Sequence, residues 1–148
     1  MTKVNIRQGD WVVVCDGKKA LVLENIGNAK VLNLKTREVY EHPAAKTREL
    51  GTDAPGRSFA SVGTARGAVE QTDWHDQEEQ RFLHQLTEHL DAAVIAGKAK
   101  AVVMVAPPRA LGALRRSYST HLRNAVRAEI DKDFVKLPVR EIKRHLAT

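Results

Sequence analysis

Six consecutive apolar residues, Ala101-Val102-Val103-Met104-Val105-Ala106, stop abruptly at Pro107-Pro108. The run is far too short to cross a membrane and shows no alternation of apolar and polar side chains. A strand of this kind hides both faces, which places it inside a sheet with parallel pairing and helices on either side. Any fold for this chain has to supply those two covering layers.

The flanking segments predict them. Trp11 to Cys15 is a second apolar run, followed by Asp16-Gly17, a turn pair in which glycine accepts positive φ. Lys19 to Asn25 alternates, with Leu21 and Leu23 on one face. Ile26-Gly27-Asn28 is a further turn, and Lys30 to Tyr40 gives a third strand. Three sequential strands with tight turns form an antiparallel meander. Residues 42–70 hold two prolines and four glycines without an apolar period, which predicts a long, mobile loop. Residues 72–96 predict a helix, with Thr72 or Asp73 as its cap, Phe82, Leu83, Leu86, Leu90, Ala93 and Val94 as its buried stripe, and Gly97 as its end. Two helices over 109–116 and 119–131 follow, with Leu111, Leu114, Leu122, Val126 and Ile130 inward. Asp133 to Leu137 reads as a weak edge strand, and Pro138 opens a last helix with Val139, Ile142 and Leu146 inward. The expected fold is one α/β domain over residues 1–148, a mixed sheet with helices packed on its faces.

Charge is segregated along this chain of net charge +6. Glu70 to Asp91 holds seven acids and one base, Arg81, whereas Lys98 to Ala128 holds seven bases and no acid. On a helix, Arg116, Arg123 and Arg127 share a face, being seven and four residues apart. Arg109 lies just past the carboxyl end of the apolar strand, the edge at which ligands of open α/β sheets bind. With Arg115 these residues form either a phosphate-contacting patch or a solvated helix face paired with the acidic helix. Guanidinium forks match phosphate oxygens, which favours the first reading. The long loop adds Lys46, Arg48, Arg57 and Arg66 among glycines, Gly63 included, that let backbone approach a ligand closely.

Several chemistries find no pattern. Neither a phosphate-loop run nor G-x-G-x-x-G occurs, so no nucleotide cofactor is expected. His75 and Glu79 do not form a zinc signature, and His84 and His89 are poorly spaced for one helix face, so no metal is expected. The serines, Ser58, Ser61, Ser117 and Ser119, lie in no nucleophile elbow. Cys15 is the only cysteine, which excludes an internal disulfide, and its apolar run predicts a buried thiol. Asp16 reads as a turn residue rather than a metal-binding acid. The first ten residues lack an apolar signal segment, so the expected location is cytoplasmic, with no membrane partner.

Motifs along the chain now carry a resemblance. They are Trp11-Val-Val-Val-Cys-Asp-Gly-Lys-Lys-Ala20, Thr47-Arg-Glu-Leu-Gly-Thr-Asp-Ala-Pro-Gly-Arg57, Glu70-Gln-Thr-Asp-Trp-His75, Val105-Ala-Pro-Pro-Arg109 with Leu111-Gly112, and Leu137-Pro138. In order and spacing they closely resemble the bacterial host-attachment proteins. That family is similar to the middle domain of the eukaryotic class-1 release factor and of the Pelota rescue factor. The resemblance implies a ribonuclease H-like α/β fold and a loop that matches the release-factor loop entering the peptidyl transferase centre. The release factor has Gly-Gly-Gln there. This chain has Gly63-Thr64-Ala65-Arg66-Gly67, with Gln71 later and no paired glycines, so peptidyl-tRNA hydrolysis is not expected.

The expected function is a non-catalytic module that binds the ribosome, ribosomal RNA or tRNA, in translation stress, rescue or hibernation. Its expected contacts are Arg57, Gly63, Arg66, Arg109, Arg115, Arg116, Arg123 and Arg127. The alternatives are a hydrolase acting on peptidyl-tRNA or RNA, and an indirect role in attachment to host cells. Oligomeric state has no signature in the sequence.

Overall fold

The computed structural model describes residues 5–41 and 64–147. Five strands form one mixed sheet: β1 (Trp11–Cys15), β2 (Lys19–Asn25), β3 (Leu34–Glu41), β4 (Val102–Ala106) and β5 (Val126–Asp131). The order is β3-β2-β1-β4-β5, with the meander on one side and parallel β1-β4-β5 pairing on the other. β1 and β4 lie at the centre and are buried along their whole length, as the two continuous apolar runs require.

Helices cover both faces. α1 (Thr64–Ile95), α2 (Pro108–Ser117) and α3 (Thr120–Ala125) lie over one, where Phe82, Leu86, Leu90, Leu114 and Leu122 pack on Trp11, Val13, Val22 and Met104. α4 (Val139–Ala147) covers the other, where Ile142 and Leu146 meet Val12, Val14, Leu23, Val103 and Val105. Alternate residues of each central strand thus feed opposite cores.

Turn chemistry sets the meander. Asp16 accepts the backbone N–H groups of Lys18 and Lys19 at 2.8 and 2.9 Å, the short polar side chain closing the turn locally. Gly17 does not adopt positive φ, contrary to the turn expected there. Its lack of a side chain serves close packing, since a Cβ would lie 2.9 Å from the Cβ of Glu79 on α1. At the next turn, fully buried Asn25 donates to the carbonyls of Ile6, Arg7 and Asn28 and accepts from the N–H groups of Gly27 and Asn33.

Three further expectations change. The long helix starts at Thr64, not near Thr72, so residues 64–70 of the expected loop are helical. Ala65, Ala68, Glu70 and Gln71 favour helix, no proline interrupts them, and Gly67 is tolerated. Second, residues 126–131 form strand β5, not helix, and no strand spans 133–137. Leu122, Val126 and Ile130 are four apart, while Val126, Ala128 and Ile130 are two apart, so both periods fit. The free edge of β4 selects the strand, pairing Val102 with Val126 and Val105 with Ile130. Third, Arg116, Arg123 and Arg127 do not share a helix face, because they stand on α2, α3 and β5 respectively.

Candidate functional site

The carboxyl ends of β1 and β4 lie side by side because those strands pair in parallel. Each is followed by a change of direction: Asp16-Gly17-Lys18 after β1, and Pro107 and α2 after β4. The space between them, with α1 as one wall, is a cavity of about 460 Å³. Lys18, Lys19, Arg109, Arg116 and Lys136 bring positive charge to its lining, and Leu83, Ala110, Ala113 and Val135 bring apolar surface. Asp16, Glu41, Asp76 and Glu79 share that lining, so the cavity is mixed in sign.

α2 opens at this cavity without a side-chain cap. Pro107 holds the cap position, and Pro108, inside the helix, has no N–H of its own. The first-turn N–H groups of Arg109 and Ala110 have no intrahelical acceptor, which leaves partial positive charge at the mouth of the cavity. Arg109 pairs with Asp76 across to α1. Its side chain is 78% exposed, and an ion pair that open to water is worth only ~0–1 kcal/mol. Such a tether does not withhold the guanidinium from an anion. Arg116 makes no ion pair with any described residue.

Two groups at the end of β1 are held by the fold. Cys15 is fully buried, and burial, aided by the Asp16 charge, pushes its thiol up to about 12. Asp16 is committed to its turn. Among the described residues no group of three or more His, Cys, Asp or Glu converges on a point that could hold a metal ion. No helix among them is long and apolar enough to cross a membrane.

The remaining arginines gather elsewhere. Arg115, Arg123 and Arg127 line a shallower cavity of about 370 Å³ beside β5, away from Arg109 and Arg116. Two of them are engaged. Arg115 donates to Glu129 at 2.7 Å, and Tyr118 donates to the same carboxylate at 2.8 Å. Burial and then this bond raise the Tyr118 hydroxyl well above its ordinary range. Arg127 pairs with Asp10, a nearly buried carboxylate that also accepts the Arg7 N–H at 2.9 Å. Arg123 lies over the Tyr118 ring at 5.9 Å. One expected patch is therefore two groups, and the carboxyl-edge group keeps the freer cations. Arg57 and Gly63 lie outside the described residues, and Arg66 stands on α1, where side chains are described from Asp76 onward.

Sequence reasoning missed Lys18, Lys19 and Lys136 as lining residues. The signal that found Arg109, its place just past a strand's carboxyl end, applies equally to Lys18. Lys136 was hidden by the misplaced fifth strand.

A family model described as "Protein required for attachment to host cells" matches residues 11–146. No curated protein matches the chain.

Proposed function

The chain belongs to the host-attachment protein family, and from that premise we propose that it is a non-catalytic binding module for a phosphate-rich partner: the ribosome, ribosomal RNA or tRNA. The observation that carries the reading is the cavity at the carboxyl ends of β1 and β4, into which an uncapped helix start opens among Lys18, Arg109, Arg116 and Lys136. Backbone N–H groups, a helix dipole and forked guanidinium groups at one place suit phosphate oxygens. The sheet, a meander continued by two parallel strands, supports a ribonuclease H-like relative of the release-factor and Pelota middle domains. Cys15, buried and protonated, is not offered as a nucleophile at this edge. The family's description concerns attachment to host cells, and in this reading that effect is indirect, through translation.

Co-sedimentation with ribosomes tests it. A bound fraction is expected at ~50 mM salt and falls steeply by ~200 mM, because phosphate contacts release counterions. Replacing Arg109, Arg116 and Lys136 together by alanine reduces the slope of log K against log salt by roughly 2–3. Absence of bound protein at ~50 mM salt rejects the reading.

A further inference from the structure

A second groove, of about 710 Å³, lies between β3 and the carboxyl-terminal half of α1. Its floor is Trp11, 3% exposed, whose indole Nε1 has no hydrogen-bond partner. A buried donor left unmet is costly, and such groups call for an acceptor that arrives from outside. Arg37 lies over the indole at 4.7 Å and is held by Glu24 at 2.6 Å. A β-bulge puts it there. Leu23 pairs with Thr36 and Val22 with Glu38, so Arg37 is the extra residue, turned toward α1. Beside it, Tyr40 and His89 stack with ring centres 4.9 Å apart and planes 12° from parallel. Lys35 and Lys98 also line the groove, as do Glu24 and Glu38, which leaves its cations in slight excess.

The two cavities follow one another along α1. Glu41 lines the first and Tyr40 the second, and on the helix Leu83 gives way to His89, about 9 Å further along its axis. Cations flanking an aromatic stack, in line with a phosphate-binding edge, form the track used for unpaired nucleic acid. A duplex keeps its bases paired and offers no free ring to such a stack. We infer that this groove takes unpaired bases of single-stranded RNA, one base extending the Tyr40–His89 stack and another accepting the Trp11 N–H, with Arg37 moved from the indole to a phosphate. The inference rests on the proposed phosphate-rich partner and adds that its bound segment is single-stranded.

The test uses the full chain with Trp74→Phe, which leaves Trp11 as its sole tryptophan. A labelled eight-nucleotide single-stranded RNA, and the same sequence annealed to its complement, are titrated at ~50 mM salt. Anisotropy reads affinity and Trp11 emission reads the groove. The single strand is expected to bind at least ~10-fold more tightly than the duplex and to change Trp11 emission. His89→Ala, on the exposed side of α1, weakens it by roughly 5- to 150-fold. Equal binding of both RNAs, or a silent Trp11 with unchanged affinity in His89→Ala, overturns the groove while leaving the carboxyl-edge reading intact. No binding of either RNA also overturns the groove, and ribosome co-sedimentation decides the carboxyl-edge reading separately.

Discussion

Cys15 and Asp16 stand together at the end of β1, and the fold uses each structurally. Asp16 closes a turn, and Cys15 is held as a neutral thiol. The thiol has a consequence for stability. Its ordinary value is 9.0, and in the folded chain it is pushed up to about 12. Above pH 9 an unfolded thiol loses its proton while the folded one keeps it, so stability is intact below that pH and falls as pH rises. Each pH unit in that window costs about 1.4 kcal/mol. Urea unfolding at pH 8 and pH 10.5, wild type against Cys15→Val, should show wild type losing about 2 kcal/mol relative to the variant at the higher pH. A gap that does not change with pH would show that the thiol ionises equally in both states.

At the scale of elements, two glycines end or join them for different reasons. Gly97 closes α1 at φ +79°, with its N–H bonded to the Val94 carbonyl and that of Lys98 to the Ala93 carbonyl. Nothing lies within 4 Å of a Cβ there, so Gly97→Ala meets only backbone strain, about 1 kcal/mol. Gly27, in the β2–β3 turn, would place a Cβ 2.2 Å from the Val31 carbonyl oxygen. Gly27→Ala therefore has to open a turn that Asn25 holds from inside, and it should cost more than Gly97→Ala. Thermal melts of the two variants decide the order, and a larger loss at Gly97 would contradict it. The bulge at Arg37 belongs to this scale too, since one extra residue changes what the groove beside Trp11 presents.

Across the whole molecule, ion pairs decide which arginines a partner can reach. Arg127, on the last strand, is bound to Asp10, just before the first. Removing Arg127 leaves a nearly buried carboxylate without its partner, so Arg127→Ala should lower the unfolding free energy by about 2–4 kcal/mol. Arg116→Ala, at an exposed position without such a partner, should stay within about 0.5 kcal/mol. Urea midpoints of the two variants test this division, and equal losses would refute it. Contacts with the proposed phosphate-rich partner are then to be sought with Arg109 and Arg116 rather than Arg127, although the three arginines look alike in the sequence.

Much of this protein was legible in its sequence because short-range physics sets it. Two apolar runs fixed the buried central strands, Pro107-Pro108 fixed the end of β4, and Gly97 fixed the end of α1. The edge reached by Arg109 followed from those strands. Other features depended on partners distant in the chain. Val126, Ala128 and Ile130 became a strand only because β4 offered a free edge, since their spacing fits two periods equally well. The Trp11 groove, the Tyr40–His89 stack and the pairing of Arg127 with Asp10 arise from residues far apart in the chain. Contacts of that kind depend on how the sheet folds back on itself, and no local pattern of residues encodes them.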